Sequence, residues 1–255
     1  MPLEEIINRQ GIIISAPASG AGKTTVTLGL INAFARKRSV QPFKSGPDYI
    51  DPKFQSVAAD RPSYNLDTWA MSSRDILNMI GMVAPSDICI AEGSMGLFDG
   101  VISKGAGGNG STADLASITN WPVILVVDCA KQAQSVAALI AGFNSFRHDI
   151  TIGGIILNNI SSKRHEALVV SEVSKTKVPI LGVIPRSNEL TIPERHLGLV
   201  QAEDLSDLEQ LIFKLGTLIE ENCDLEAIAC TARNSFPPIS TLSLIHISEP
   251  TRLHG

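Results

Sequence analysis

The stretch Ile12-Ile13-Ile14-Ser15-Ala16-Pro17-Ala18-Ser19-Gly20-Ala21-Gly22-Lys23-Thr24-Thr25 decides the fold of this chain. An apolar run leads into a glycine-rich loop that ends Gly-Lys-Thr, and a helical pattern follows. Such glycines let backbone N–H groups turn inward around a triphosphate, the lysine reaches the outer phosphates, and the threonine hydroxyl holds Mg²⁺ at a helix N-terminus. The stretch predicts a phosphate-binding loop, although Pro17 stands where the usual motif has its first glycine. An ordinary glycine-rich turn is the alternative.

Beyond this loop, apolar runs alternate with segments whose apolar residues repeat at helical spacing. The predicted strands are 12–15, 40–43, 88–91, 123–128, 152–157 and 180–184. The predicted helices are 24–38, 73–83, 135–146, 162–176 and 204–222, and no further element is predicted after the last of these. Uniformly apolar strands separated by helices indicate an α/β fold of the P-loop NTPase type, with a mostly parallel sheet and helices on both faces.

Composition restricts the class of protein. The chain has 255 residues, of which 44% are hydrophobic, so it can bury one good-sized core. A formal charge of −5 argues against nucleic acid or an anionic membrane as a partner. The four cysteines show no ligand spacing, which favours buried reduced thiols over a metal site. With no predicted signal peptide or membrane span, we expect a cytoplasmic protein.

The loop after the second predicted strand combines a lysine with two carboxylates between prolines, in Phe43-Lys44-Ser45-Gly46-Pro47-Asp48-Tyr49-Ile50-Asp51-Pro52. Rigidly held acids suit Mg²⁺, which requires a few hard oxygen ligands in near-octahedral geometry. Lys44 is then a candidate phosphate clamp, with Asp48 and Asp51 as candidate ligands. An ordinary turn is the alternative.

Two acids follow the third predicted strand. Glu92 comes at the strand end beside the phosphate loop, where P-loop enzymes keep a carboxylate that binds Mg²⁺ or orients water. Asp99 lies seven residues further on and can face the same site. Solvated strand-end acids are the alternative for both. The glycine-rich segment 104–112 is either a spacer or a mobile lid over a substrate.

Later loops supply two further candidates. Asn158 ends the fifth predicted strand, and an amide there can pair with a purine edge because it offers a donor and an acceptor. An asparagine turn is the alternative. Arg195 and His196 suit a substrate rich in carboxylates, against the alternative of a solvated helix start.

Taken together, several motifs resemble the cobyrinic acid a,c-diamide synthase family, which belongs with dethiobiotin synthetase to a wider group of P-loop folds. The resemblance covers about residues 10 to 202. Its motifs are Ser19-Gly20-x-Gly22-Lys23-Thr24-Thr25, Phe43-Lys44-x-Gly46-Pro47-Asp48-Tyr49-Ile50-Asp51-Pro52, Asn65-Leu66-Asp67, Glu92-Gly93-x-Met95-Gly96-Leu97-Phe98-Asp99-Gly100 and Glu194-Arg195-His196-Leu197-Gly198-Leu199. Members use ATP, Mg²⁺ and glutamine to convert the a and c acetate carboxylates of a corrinoid to amides.

The resemblance implies a ligase that works through acyl phosphates and assigns roles to residues of this chain. The implied catalytic residues are Lys23 and Lys44 on the phosphates, Asp48 and Glu92 on Mg²⁺, and Asp51 and Asp99 on the substrate side or in deprotonating ammonium. The implied Mg²⁺ ligands are Thr24, Asp48 and Glu92. The implied nucleotide-binding residues are Ser19, Gly20, Ala21, Gly22, Lys23, Thr24, Thr25, Asn158 and Pro185. The implied corrinoid-binding residues are Tyr49, Asp67, Ser111, Thr112, Arg195 and His196.

The resemblance also sets expectations for the domains. Residues 1–233 are expected to form the amidoligase domain, and residues 234–255 a non-native or disordered tail. Full family members continue into a glutamine amidotransferase domain that supplies ammonia, and nothing in this sequence matches it. Ammonia would come from that missing domain, and a homodimer is a possible assembly.

Two alternative functions stay open. A nickel-sirohydrochlorin a,c-diamide synthase shares these motifs and differs mainly in its macrocycle. A partitioning-type switch ATPase is the other class, but it carries a signature lysine early in the phosphate loop, where this chain has Ala18.

Overall fold

A seven-stranded sheet forms the centre of the protein in the computed structural model, which describes residues 9–187 and 205–233. The strands are β1 Gly11–Ser15, β2 Val40–Ser45, β3 Tyr64–Leu66, β4 Ile88–Glu92, β5 Val123–Asp128, β6 Ile152–Ile160 and β7 Ile180–Pro185. Their order is β3-β2-β4-β1-β5-β6-β7, and every neighbouring pair is parallel. The predicted α/β fold is confirmed, and the carboxyl ends of all seven strands lie at one edge of the sheet.

Helices cover both faces of this sheet. They are α1 Lys23–Ala35, α2 Asp51–Ala59, α3 Ser73–Met82, α4 Thr112–Thr119, α5 Val136–Phe146, α6 Lys163–Val173, α7 Leu205–Asn222 and α8 Leu225–Arg233, with a 3₁₀ turn at Ser174–Thr176. On β1, Ile13 faces a core shared with α3 to α6, whereas Ile12 and Ile14 face α1, α2, α7 and α8. Alternate residues of the central strands therefore belong to two separate cores, which explains why these strands are apolar throughout.

The prediction that no element follows residue 222 was wrong, because α8 does. The Asp224 carboxylate accepts a hydrogen bond from the Ala227 N–H at 2.9 Å, which caps the helix. Ile228, Ala229 and Ala232 are buried against the sheet. The helix has only nine residues, a length that is unstable in isolation, so its packing against the sheet decides that it forms.

Three more elements were not predicted, namely β3, α2 and α4. Strand β3 has only three residues, and α2 begins inside the proline-bounded loop, where proline in the first helical turn is well tolerated. The expectation of buried thiols is right for Cys89 and Cys129, but Cys230 is exposed. Within residues 9–187 and 205–233, no helix is both long and apolar enough to span a bilayer. The proposed tail 234–255 lies outside the described residues.

Candidate functional site

The phosphate loop connects β1 to α1 with two glycines in left-handed conformations. Gly20 and Gly22 have φ angles of +79° and +85°. A Cβ atom at Gly22 would lie 2.2 Å from the Asn158 side-chain nitrogen, so both the angle and the space require glycine there. No described side chain caps the first turn of α1, and its N–H groups can therefore receive an anion.

A compact polar cluster lies beside this loop, where β2 and β4 end. Lys44 and Glu92 are direct neighbours in the register of the two strands. The Lys44 ammonium forms an ion pair with Asp51 and lies 3.2 Å from Glu92 Oε1. The same Glu92 oxygen accepts a hydrogen bond from the Thr24 hydroxyl at 2.7 Å. The fold thus joins four predicted site residues, Thr24, Lys44, Asp51 and Glu92, from three separate segments.

Burial and charge give the two lysines of the site opposite pKa shifts. Burial lowers the pKa of Lys23 to about 8, and the charge of Glu92 offsets only part of this effect. Burial would also lower the pKa of Lys44, but the nearby charges of Glu92 and Asp51 outweigh it and the pKa is raised. Lys44 is therefore a fixed positive charge, whereas Lys23 can titrate.

The pKa of the Asp51 carboxyl is raised, first because it is buried and second because Glu92 repels its charge. Its ion pair with Lys44 opposes both effects. Asp51 can therefore hold a proton more readily than an ordinary aspartate, as suits a group that handles protons near a reacting centre.

Gln55 completes this cluster and was not among the predicted site residues. It is fully buried on α2, where its amide nitrogen donates to Glu92 Oε2 at 2.8 Å. Its amide oxygen accepts from the Ser63 hydroxyl at 2.7 Å. Gln55 thus fixes one carboxylate oxygen of Glu92, while the other faces Thr24 and Lys44. Its place four residues after Asp51, on the same face of a helix, was the available signal.

Three predicted acids are partly occupied by local hydrogen bonds. Asp48 Oδ1 accepts from the backbone N–H groups of Ile50 and Asp51, and its other oxygen lies 3.8 Å from the Lys44 ammonium. Asp99 accepts from the Gly96 N–H at 2.9 Å. Asp67 caps the turn that follows β3. Of these three, Asp48 makes contact with the Lys44 cluster.

The predicted corrinoid-binding hydroxyls have structural partners. Ser111 caps α4, since its hydroxyl accepts from the Asp114 N–H at 3.2 Å. Thr112 is fully buried. Its hydroxyl accepts a hydrogen bond from the Ser94 N–H and donates one to the Ser94 carbonyl. These two residues hold the loop after β4 and the start of α4 in place through their hydrogen bonds. Tyr49, in contrast, is exposed at the same edge, and Arg195 and His196 lie outside the described residues.

The glycine-rich segment 104–112 is attached to the body of the protein. The Ala106 N–H donates to the Trp69 carbonyl at 2.8 Å, and the Gly107 N–H donates to the Thr68 carbonyl at 2.9 Å. A Cβ at Gly105 would lie 1.9 Å from the Trp69 carbonyl oxygen, so glycine permits this close approach. The geometry favours a fixed segment over either the spacer or the mobile lid.

Asn158 holds the phosphate loop from the other side. Its buried side-chain nitrogen donates to the Ala21 carbonyl at 2.9 Å. Next to it lies a cavity of about 170 Å³ between the loop, the ends of β6 and β7, and α7. Its lining includes Gly20, Gly22, Thr25, Asn158, Pro185, Leu215, Leu218 and Ile219. Five of the predicted nucleotide-binding residues, namely Gly20, Gly22, Thr25, Asn158 and Pro185, therefore meet at a half-apolar cavity beside the phosphate loop.

A larger groove of about 740 Å³ lies along edge strand β7 and reaches the start of α6 and the turn between α7 and α8. Pro185 is the only predicted site residue in its lining. It contains none of the lysine and carboxylate cluster, which lies at the phosphate loop and its neighbours.

Comparison with known proteins shows the family of this chain. Residues 12–200 match the family described as CobQ/CobB/MinD/ParA nucleotide binding domain. The chain belongs to this family. The matched region of this chain includes the phosphate loop, β4 and the loops between them. It also includes the partly described segment after β7.

Two curated relatives of this family member are named hydrogenobyrinate a,c-diamide synthase. The protein from Rhodobacter capsulatus is 46% identical over 224 residues, which are 88% of this chain and 52% of the relative. The protein from Brucella anthropi is 47% identical over 222 residues, which are 86% of this chain and 50% of the relative. The chain thus spans about half the length of the curated relatives it matches.

Among solved structures, the MinC:MinD cell division protein complex from Aquifex aeolicus aligns with 96% of this chain and 100% of its own. Its TM-score is 0.50 and its sequence identity 16%. At this distance the likeness shows the fold alone.

Proposed function

We propose that this chain binds Mg-ATP and is the ligase part of an enzyme that amidates the a and c carboxylates of hydrogenobyrinate. The observation that carries the proposal is the meeting of Thr24, Lys44, Asp51 and Glu92 in one polar cluster beside the phosphate loop that carries Lys23. The names of the curated relatives support the choice of substrate.

The proposed chemistry explains the need for two lysines. A carboxylate is a poor electrophile, so one of its oxygens attacks the γ-phosphorus of ATP, and the bond from that phosphorus to the ADP oxygen breaks. Ammonia then attacks the carbonyl carbon of the acyl phosphate, phosphate leaves, and a proton is lost from nitrogen. The protein contributes mainly alignment and neutralisation of charge. Lys23 and Lys44 would bind the phosphoryl oxygens, and Asp51 or Asp99 would accept the proton.

The residues present fit a magnesium ion. Among the described residues, no group of three His, Cys, Asp or Glu side chains could hold a metal ion by itself. Magnesium bound to ATP needs only one or two protein oxygens besides phosphates and water. Thr24 and Glu92, whose oxygens lie 2.7 Å apart, would supply them, with Asp48 as the third proposed donor. The bound ion would neutralise charge on the transferred phosphoryl group.

The cavity of about 170 Å³ is the proposed site of the adenine base. It opens beside Gly20 and Gly22, so a nucleotide with its phosphates on the loop would direct its base there. Leu215, Leu218 and Pro185 offer apolar contact to a flat ring. Asn158 is held by the Ala21 carbonyl through its nitrogen, and its side-chain oxygen is the proposed acceptor for the base.

Amidation with ammonium chloride tests the proposal, because free ammonia bypasses any question of how the enzyme obtains it. We expect hydrogenobyrinic acid, Mg-ATP and ammonium chloride to give products one and two amides heavier by mass spectrometry. Lys23→Ala should remove this activity and the thermal stabilisation by Mg-ATP.

Parallel reactions with cobyrinic acid and nickel-sirohydrochlorin identify the preferred macrocycle. Equal thermal shifts with Mg-ATP in the unaltered chain and in Lys23→Ala would contradict the phosphate-loop assignment. Mg-ATP binding without amidation of any macrocycle would contradict the ligase proposal.

A further inference from the structure

Large apolar side chains are exposed unevenly over this protein. Among the described residues, ten such side chains are prominently exposed, and five of them lie on the three loops that follow β2, β3 and β4. These five are Tyr49, Trp69, Met95, Val101 and Ile102, which we name the apolar rim. The other five are spread singly over β3 and four different helices, as is normal for a protein surface. A concentration on adjoining loops is what marks a binding surface.

The three loops of the apolar rim are fastened to one another. The Asn65 side chain, at the end of β3, donates to the Gly46 and Asp48 carbonyls of the loop that carries Tyr49. The Ser94 hydroxyl donates to the Ser45 carbonyl, which joins the loop after β4 to β2. That same loop returns to Trp69 through the hydrogen bond from Ala106. Hydrogen bonds therefore fix the backbone of all three loops relative to one another, while the side chains of the apolar rim stay exposed.

The apolar rim also borders the lysine and carboxylate cluster. The Met95 carbonyl accepts a hydrogen bond from the Lys23 ammonium at 2.7 Å. Met95 has a φ of +47°, a strained angle for a large side chain, and such strain gathers at functional sites. Tyr49 stands between Asp48 and Asp51, both of which contact Lys44. A ligand lying on the rim would thus have its edge at the phosphate-binding lysines.

We propose that the apolar rim binds the flat face of the corrin macrocycle and so directs an edge carboxylate towards Lys23 and Lys44. The inference rests on the proposed function. A conjugated macrocycle with carboxylates around its edge needs an apolar, partly aromatic surface for its face and positive charge for its periphery. Trp69 is 49% exposed and supplies an indole ring, while Lys104, exposed on the loop after β4, supplies a cation.

Equilibrium binding of hydrogenobyrinic acid, followed by its visible absorbance in the presence of Mg-ADP, tests this surface without any amidation. We expect Trp69→Ala to raise the dissociation constant about tenfold, which corresponds to 1.4 kcal/mol. Ile102→Asp should weaken binding at least as much, because it places a negative charge beside a polycarboxylate. Since the Ile102 side chain is fully exposed, this change leaves folding intact.

Met82→Asp is the matched control. Met82 is as exposed as the rim residues, but it ends α3 close to Arg9, at the opposite edge of the sheet. It should leave macrocycle affinity unchanged, and all three variants should keep the thermal shift with Mg-ATP.

Unchanged macrocycle affinity in both rim variants, with amidation by the unaltered chain, would overturn the rim alone. A chain that binds no macrocycle would overturn the rim together with the proposed function. A dimer that dissociates in the rim variants while macrocycle affinity stays constant would assign this surface to a second copy and also overturn the proposal.

Discussion

At the scale of single residues, two lysines of one site differ in the charge they can keep. Lys44 is only 4% exposed and stays protonated because Glu92 and Asp51 surround it. Lys23 is desolvated without an equally close carboxylate, and instead donates to the Met95 carbonyl. A lysine that is proposed to exchange its partner for phosphate is better held by a neutral carbonyl than by a carboxylate, since the neutral contact is weaker.

Nucleotide affinity should therefore depend on pH through Lys23. Its pKa of about 8 in the free protein rises when phosphate binds, because the anion favours the charged form. Binding then takes up a proton above pH 8, and the dissociation constant of Mg-ATP should increase by up to about tenfold per pH unit there. Titration calorimetry from pH 7 to 9.5 measures this slope.

Lys23→Arg is the control for this titration, since arginine keeps its charge over the whole range. Its affinity should be weaker at pH 7 but nearly constant up to pH 9.5. Parallel slopes in the two proteins would show that another group titrates.

At the scale of elements, helix α2 supports the end of β4 through a single amide. Gln55 reaches from the helix to Glu92, and the ion pair of Asp51 with Lys44 joins the start of the same helix to β2. The helix therefore fixes the position of the carboxylate that Thr24 of the phosphate loop contacts. Glu92 itself has hydrogen-bond partners on both of its oxygens.

Gln55→Leu tests this support. The change leaves one oxygen of a fully buried carboxylate without its donor, so we expect the free energy of unfolding to fall by about 1–3 kcal/mol. The Mg²⁺ concentration that half-saturates ATP hydrolysis or amidation should rise several-fold, because Glu92 is no longer fixed. Urea unfolding and a magnesium titration measure the two effects.

Gln41→Leu provides the comparison. Gln41 lies at the start of β2, away from the site, where it is also buried and its amide nitrogen donates to the Pro42 and Pro62 carbonyls. It should lose stability to a similar extent without changing the magnesium requirement. If both variants shift that requirement alike, Gln55 has only a structural role.

At the scale of the whole molecule, α7 packs directly on α1, the helix that follows the phosphate loop. Gly29 of α1 makes this possible, since a Cβ there would lie 2.5 Å from the Ile219 side chain and 2.8 Å from the Leu215 carbonyl. Leu215 and Ile219 also line the cavity beside the phosphate loop. The contact between two helices far apart in the chain thus shapes a binding cavity.

Gly29→Ala should therefore affect stability and binding together. The added methyl group separates α7 from α1, and overpacking of this kind costs about 1–3 kcal/mol in the free energy of unfolding. Affinity for Mg-ATP should fall as the cavity changes shape. Urea unfolding and calorimetry measure both quantities.

Gly142→Ala adds the same methyl group to helix α5, where a Cβ meets no atom within 4 Å. It should stabilise the protein by about 0.5–1 kcal/mol, because alanine favours a helix, and it should leave nucleotide affinity alone. A loss of stability at Gly142 equal to that at Gly29 would mean that the helix contact is not the cause.

The sequence by itself determined the phosphate loop, the parallel sheet and the loops that carry the site. These features are local. A glycine-rich loop between a strand and a helix can be recognised whatever the position of the segment in the fold, and so can apolar periodicity within one segment. Parallel topology then brings all strand carboxyl ends to one edge. This is why Lys44, Asp51 and Glu92 could be placed near Lys23 without knowledge of the fold.

Tertiary structure alone decided which side chains contact one another. Thr24 meets Glu92 across 68 positions and Asn158 meets Ala21 across 137, and no local pattern encodes such pairs. Thr112 became an internal support and Gln55 a partner of Glu92 for the same reason, since the role of a polar group depends on which partner it meets when water is removed. Burial also set the opposite pKa shifts of the two lysines, because desolvation and nearby charge exist only in the folded protein.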